Sequence, residues 1–144
     1  MSIKQISVFV ENKPGAMMAM TDTLAAHNID MRALALAEAS DFGIVRVIVD
    51  DVYTASTVLK DAGFIYNVSS VLGVAIPDEP GGLSKVVGVL TAGGVNVDYM
   101  YAFLGGKSSE HAYMIFRVKD VKAATAVLGS KGIVCVQQED IAQL

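Results

Sequence analysis

The chain repeats one pattern of residues along its length, and this repeat constrains the fold more than any other feature. Residues 6–34 align without gaps on residues 72–100, and residues 43–67 align on residues 112–136. A three-residue insertion in the second copy falls near residues 105–110. A repeat of this length indicates a duplicated supersecondary unit, so the two copies are expected to share one fold.

Within each copy, the spacing of apolar residues changes from the two-residue period of strands to the period of amphipathic helices and back. The elements predicted for the first copy are strand 3–10, a helix from Pro14, strand 29–38, strand 44–49, helix 52–62 and strand 64–68. Those predicted for the second copy are strand 71–76, helix 80–92, strand 95–104, strand 111–118, helix 121–130 and strand 132–138. This order predicts an α+β fold of two tandem ferredoxin-like βαββαβ units with packed antiparallel sheets.

Residues 65–76, which join the copies, contain neither a proline nor a charged residue. Extended, this segment spans roughly 40 Å at about 3.3 Å per residue, which exceeds the length of an ordinary strand. We therefore expect two strands that meet at Ser69–Ser70, with one domain at 1–69 and another at 70–144. An exposed edge strand in each domain would provide a way to join sheets.

Composition excludes several classes of protein. Hydrophobic residues make up 53% of the chain and charged residues 18%, which favours a packed core over disorder. The net charge of −4 without a basic stripe argues against nucleic acid and anionic membranes as partners. Glu11 and Lys13 interrupt the first apolar run before a signal-peptide core forms. Cys135 is the only cysteine, so a reducing, cytoplasmic location is expected, with Cys135 in a buried strand.

Candidate catalytic groups are sparse. His27 is predicted at a helix end and His111 at the surface, and Asp51 and its counterpart Asp120 are predicted to cap helices. No metal-ligand spacing, dinucleotide fingerprint or phosphate-binding loop occurs in the sequence. We therefore expect no metal, no cofactor and no enzymatic activity.

Two turns at equivalent positions, VENKPGAM (10–17) and IPDEPGGL (76–83), are the strongest candidates for a site. Each leads into a helix, whose first N–H groups and dipole attract a carboxylate. Gly15 and Gly81–Gly82 lack a Cβ, which allows close approach of a ligand. The side-chain oxygens of Asn12 and Asp78 can accept hydrogen bonds from an ammonium group of a ligand. Alternatively, these residues can simply shape the turns. The local sequence leaves both interpretations open, and the duplication favours ligand binding.

The ordered set of strand, polar residue, Pro-Gly, amphipathic helix and then NIDM or GVNV resembles the ACT domain, a small-molecule-sensing module of amino-acid metabolism. The resemblance covers almost the whole chain twice and implies a stand-alone tandem ACT protein. It also implies that an amino acid binds at an interface between ACT units, paired either within one chain or across the expected homodimer. The residues that the resemblance assigns to ligand binding are Asn12, Gly15, Ala16, Met17, Asp30, Met31, Asp78, Gly81, Gly82, Leu83, Asn96 and Val97.

The resemblance also suggests which ligand to expect. Val10 and Ile76 stand where serine-sensing members carry a histidine, and Asp30 and Asp78 add acidic groups. Histidine, lysine or arginine is therefore favoured over serine, with the more open IPDEPGGL turn as the preferred cradle. The function implied is a non-catalytic amino-acid sensor. The alternative is a regulatory small subunit like that of acetolactate synthase, which would act by contact with a biosynthetic enzyme.

Overall fold

The computed structural model describes residues 2–105 and 110–144. The chain divides into two compact units. The first unit is Lys4–Ser69, and the second unit is Ser70–Leu144 together with the residues before Lys4. None of the helices in the described residues is long and apolar enough to cross a membrane.

The first unit contains two helices and an antiparallel sheet. Its elements are β1 (Ile3–Glu11, of which Ile3 groups with the second unit), α1 (Ala16–Ala26), β2 (Met31–Ala39), β3 (Phe42–Val49), α2 (Val52–Asp61) and the beginning of β4 (Ile65–Pro77). The strand order is β2-β3-β1-β4, so β2 is an edge strand. Residues of β1 and β3 that share one face pack on both helices in a core that includes Ile6, Val8, Leu24, Val47 and Leu59.

The second unit repeats this arrangement. After the rest of β4 come α3 (Gly82–Ala92), β5 (Val97–Ala102), β6 (His111–Val118), α4 (Val121–Gly129) and a final 3-10 helix (Gln138–Gln143). The strand order is β4-β6-β5, with β5 at the edge. The core includes Leu72, Val74, Leu90, Phe116 and Leu128. The predicted fold of two tandem ferredoxin-like units is confirmed.

The strand registers confirm the internal alignment. Val47 lies opposite Ile6 and Leu34 in the first unit. Phe116 lies opposite their counterparts Leu72 and Met100 in the second unit. The three-residue insertion therefore precedes β6. Of the loop predicted at 105–110, residues 106–109 lie outside the described residues.

The prediction of two strands that meet at Ser69–Ser70 is wrong, because β4 is one strand of 13 residues. The unit boundary lies within it, between Ser69 and Ser70. Residues 65–76 contain no proline or charge to end a strand, and β4 pairs with β6 from Leu72 to Pro77. The usual length of a strand did not predict the length of β4, because the two ends of this strand belong to different units.

The strand predicted at 132–138 is also wrong. Residues 134–136 make only a bridge to β4, in which Ala75 N–H donates to Val134 at 3.2 Å and Val136 N–H donates to Gly73 at 2.8 Å. The 3-10 helix then begins, because the Asp140 carboxylate accepts a hydrogen bond from Gln137 N–H at 3.1 Å. Short-range capping therefore ends the extended segment early.

Two helices begin later than predicted. Pro14 and Pro80 lie in turns, and α1 and α3 begin at Ala16 and Gly82. The preceding glycines adopt the left-handed conformation, with φ 90° at Gly15 and 86° at Gly81. A residue with this φ cannot belong to a right-handed helix, so each helix starts one residue after its glycine.

The other two helices have the predicted caps. Asp51 Oδ1 accepts a hydrogen bond from Thr54 N–H at 3.0 Å, and Asp120 Oδ1 accepts one from Ala123 N–H at 3.0 Å. Each carboxylate satisfies one of the N–H groups that a helix leaves open at its start.

Replacing Asp120 with Ala removes this cap and should lower the free energy of unfolding by about 1 kcal/mol. Urea denaturation at pH 7 measures the change. Asp22→Ala removes the same charge from an exposed position within α1 and is the matched control. An equal loss in both variants would show that charge rather than capping is responsible.

The cap at Asp51 should make stability depend on acidity. The Thr54 backbone N–H, and then its hydroxyl, hold the pKa of Asp51 below its ordinary value. A carboxyl group whose pKa is lower in the folded state contributes stability above its unfolded pKa of about 4, and loses it as the pH falls through the folded pKa. The difference in urea midpoint between wild type and Asp51→Ala should therefore shrink below about pH 4. A constant difference down to the acid transition would contradict this role.

Gly82 is closely surrounded by other atoms at the position of a Cβ, whereas Gly88, in the same helix, is not. A Cβ at position 82 would overlap the carbonyl oxygen of Pro77, whereas a Cβ at position 88 would meet nothing within 4 Å. Gly82→Ala should therefore destabilise the protein by about 1–3 kcal/mol. Gly88→Ala, in the same helix, should stabilise it by about 0.5–1 kcal/mol. Thermal unfolding of the two variants checks the contrast, which fails if both shift in the same direction.

Candidate functional site

The first turn, residues 12–15, is held by its own backbone. Lys13 N–H donates to the Glu11 carbonyl at 3.0 Å, and Ala16 N–H donates to the Lys13 carbonyl at 3.3 Å. Gly15 then caps α1 without a side-chain hydrogen bond. Backbone hydrogen bonds therefore shape the turn, and no side chain caps the helix that follows it.

The second turn, residues 78–81, has the same hydrogen bonds. Glu79 N–H donates to the Pro77 carbonyl at 2.9 Å, and Gly82 N–H donates to the Glu79 carbonyl at 3.0 Å. Gly81 takes the position of Gly15, with the same left-handed backbone. The duplicated turn predicted from the sequence is thus reproduced bond by bond.

The helix that follows each turn begins with open N–H groups. Among the described residues, the N–H groups of Met17 and Met18 in α1 have no hydrogen-bond acceptor, and neither do those of Leu83 and Ser84 in α3. Together with the positive end of the helix dipole, such groups can bind a carboxylate.

The side chains of Asn12 and Asp78, the polar residues of the two turns, differ in their hydrogen bonds. Asn12 Nδ2 donates to the Ser40 carbonyl at 3.3 Å, and Asn12 N–H donates to the Asp41 carbonyl at 3.0 Å. Asp78 N–H makes the corresponding bond to the Glu110 carbonyl at 3.0 Å. Within the described part of the chain, however, the exposed Asp78 carboxylate has no hydrogen-bond or ion-pair partner. Asn12 therefore fixes the turn, whereas the Asp78 carboxylate remains open to a ligand.

Gly82 does not open the second turn as the sequence suggested. It is buried, and the space that a Cβ would occupy is filled by the Pro77 carbonyl. Gly81 does border open space, as Gly15 does. The greater openness expected of the second turn therefore finds no support in Gly82.

The predicted residues of the second strand lie at the other end of the sheet from the turns. Asp30 N–H donates to Asp50 Oδ1 at 3.0 Å, just beyond the end of β3, whereas Asn12 is bonded just before β3 begins. Eight residues of β3 separate these points, which corresponds to roughly 25 Å. Met31 begins β2 beside Asp30. One unit alone therefore does not bring Asp30 and Met31 together with its turn.

The second unit shows the same separation. Val97 pairs with Val118 at the end of β6, whereas Pro77, next to the second turn, pairs with His111 at its beginning. Asn96, which precedes Val97, donates through Nδ2 to Asp98 at 3.2 Å. Asn96 and Val97 therefore lie roughly 25 Å from Asp78, at the spacing of an eight-residue strand.

Two of these regions, the first turn and the start of β5, border a cleft within their own unit. A cleft of about 340 Å³ adjoins the first turn and is mostly apolar, with Phe9 and Phe64 among its lining residues. Glu11 and Lys13, which also line it, form an exposed ion pair at 2.9 Å. A cleft of about 470 Å³ contains Asn96 and includes two cations, Arg117 and Lys119. Sequence reasoning missed these cations, although the alignment places both beside the start of β5.

His27 and Cys135, which the sequence offered as isolated candidates for catalysis, lie where a structural role accounts for them. His27 caps the end of α1 as predicted, with Nδ1 3.0 Å from the Thr23 carbonyl oxygen. Cys135 is half-buried, and this burial raises the pKa of its thiol, which disfavours the reactive thiolate. The described residues contain no group of side chains suited to hold a metal ion.

Comparisons with known proteins agree with this architecture. A family model described as "ACT domain pair" matches residues 1–144. The crystal structure of protein BT0572 from Bacteroides thetaiotaomicron is 39% identical, with a TM-score of 0.92 over 100% of this chain and 98% of that one. No curated protein sequence matches the chain.

More distant structures share the fold. The regulatory subunit of aspartate kinase from Thermus thermophilus is 15% identical, with a TM-score of 0.61 over 88% of this chain and 90% of that one. The same subunit from Thermus flavus is 15% identical, with a TM-score of 0.60 and the same coverage. The family model spans both copies of the repeat, and the chain therefore belongs to the family of ACT domain pairs.

Proposed function

We propose that this protein is a non-catalytic regulatory protein that binds a free amino acid at its paired turns. The observation that carries the proposal is the second turn and the start of its helix, where the N–H groups of Leu83 and Ser84 and the Asp78 carboxylate have no partner among the described residues. An α-amino acid carries both complementary charges, since its carboxylate suits the helix N–H groups and its ammonium suits Asp78.

The proposed site needs more than one ACT unit. A ligand of amino-acid size cannot span the roughly 25 Å between the turn and the second-strand start of the same unit. Asn96 and Val97, or Asp30 and Met31, must therefore approach the turn from another ACT unit. A homodimer would supply such a unit, so ligand binding would be linked to assembly.

The charge at the second turn favours a basic ligand. The Asp78 carboxylate is available to a cationic group, whereas Asp30 already pairs with Arg32 at 3.2 Å. We therefore expect histidine, lysine or arginine to bind more tightly than serine, because Asp78 can attract a side-chain cation in addition to the α-ammonium that every amino acid carries.

A thermal-shift panel of the twenty amino acids tests this function. A ligand that binds only the folded state adds about 2.7 kcal/mol at one hundred times its Kd, so a binding amino acid should raise the Tm in a dose-dependent manner. Light scattering with and without that ligand then shows whether assembly changes. A flat panel at millimolar concentrations would overturn the sensor proposal. Recovery of a biosynthetic enzyme in a pull-down would then favour the regulatory-subunit alternative.

Asp78→Asn should weaken the responding amino acid by about tenfold or more, because it removes a charge-assisted hydrogen bond while preserving shape. Glu79→Gln makes the same change of charge one residue along, in the same exposed turn, and should leave the Kd unchanged. Isothermal titration calorimetry measures both variants. Equal affinities for wild type and Asp78→Asn would remove Asp78 from the site.

A further inference from the structure

The second unit contains a charged cleft that the proposed amino-acid site does not explain. Its volume is about 470 Å³, and it lies where β6 ends, α4 begins and the chain enters β5. This end of the sheet is opposite the second turn. The residues that line it are Gly93, Gly94, Val95, Asn96, Asp98, Arg117, Lys119, Asp120 and Ala123. We call it the Arg117–Lys119 cleft.

Both cations of the cleft lack a neutralising carboxylate. Among the described residues, no carboxylate oxygen lies within 4.0 Å of the charged nitrogens of Arg117 or Lys119. One guanidinium nitrogen of Arg117 donates to the Ser70 carbonyl at 3.1 Å, which anchors the side chain. The remaining guanidinium donors are left for another acceptor.

The acidic residues of the cleft, Asp98 and Asp120, accept hydrogen bonds from groups other than the two cations. Asp98 accepts a hydrogen bond from Asn96 Nδ2 at 3.2 Å, and Asp120 accepts one from Ala123 N–H at 3.0 Å as the cap of α4. The cleft holds two cations and two carboxylates, whose charges balance, but no carboxylate of the described residues forms an ion pair with either cation. The charged nitrogens of Arg117 and Lys119 can therefore donate hydrogen bonds to a small anion.

The first unit has the same backbone but different charges at this place. The strand registers align Ile48 with Arg117 and Asp50 with Lys119, since Val49 and Val118 are the partners of Met31 and Val97. There the nearby Arg32 is paired with Asp30 at 3.2 Å, and the Asp50 carboxylate accepts a hydrogen bond from Asp30 N–H. The cations are therefore a property of the second copy, not a requirement of the fold.

We propose that the Arg117–Lys119 cleft binds a small organic carboxylate. The guanidinium fork of Arg117 matches the geometry of a carboxylate, and the Lys119 ammonium adds a second charge. Asn96 and Asp98 provide oxygen atoms for donor groups elsewhere on the ligand. The volume of the cleft lies within the roughly 300–1,000 Å³ typical of small-molecule sites. Asn96 also belongs to the proposed amino-acid site, but Arg117 and Lys119 do not, so this carboxylate site goes beyond the amino-acid function and does not depend on it.

Nuclear magnetic resonance titration of the full chain with succinate tests the proposal, with acetate and inorganic phosphate as further probes at constant ionic strength. Succinate should shift the backbone amide signals of Asp98 and Lys119 in a saturable manner. The amides of Leu83 and Ser84 at the second turn report the amino-acid site, and any shift there is fitted separately. The two proposed sites are thus read from separate signals, so failure at one is distinguishable from failure at the other.

Lys119→Gln should weaken succinate by about tenfold or more, because a charge-assisted hydrogen bond is lost. Lys60→Gln removes the same charge from an exposed position in α2 of the first unit and should leave the Kd unchanged. Arg117→Gln should abolish binding, but it also removes the bond to Ser70, so the Lys119 variant carries the test.

Three outcomes would overturn the proposal. The first is the absence of saturable shifts with succinate or acetate. The second is a response to phosphate alone, which would identify the cleft as a phosphate site. The third is an unchanged succinate Kd in Lys119→Gln, or an equal loss in Lys60→Gln, which would indicate nonspecific attraction of anions.

Discussion

The antiparallel pairing of β1 with β3, and of β4 with β6, is the interaction on which the rest of each unit depends. It places Ile6, Val8 and Val10 on the face that the helices cover, and Leu72, Val74 and Ile76 likewise in the second unit. The same pairing sends each Pro-Gly turn to one end of its sheet and each second-strand start to the other. Core packing and the position of the polar groups therefore follow from one set of backbone hydrogen bonds.

Features governed by local chemistry were predictable from the sequence. Alternating apolar residues predicted the paired strands, and aspartates before apolar helices predicted the caps at Asp51 and Asp120. Features that depend on distant partners were not predictable. The uninterrupted β4 needs partners from both units, and the failure of 132–138 to form a strand depends on the capping of a 3-10 helix.

The residue types of the candidate site were predictable from the sequence, but their contacts in the folded protein were not. Residue types identified both turns, and the structure gives them matching hydrogen bonds. The sequence did not indicate that Gly82 is required by the Pro77 carbonyl, because this contact depends on how the turn closes. Nor did it single out Arg117 and Lys119, since a pair of cations becomes informative only when nearby carboxylates are known to bond elsewhere. The two copies therefore share a backbone but carry different charges at equivalent positions.

The connection between β5 and β6 bears on how the two copies differ. The chain from Met100 to its partner Phe116 is three residues longer than the chain from Leu34 to its partner Val47, yet Asp78 N–H donates to the Glu110 carbonyl as Asn12 N–H donates to the Asp41 carbonyl. Added length is therefore absorbed before this bond, and the pairing of β4 with β6 begins at the same place. The two copies therefore differ in the length of this connection while the pairing of the strands beside it keeps the same register.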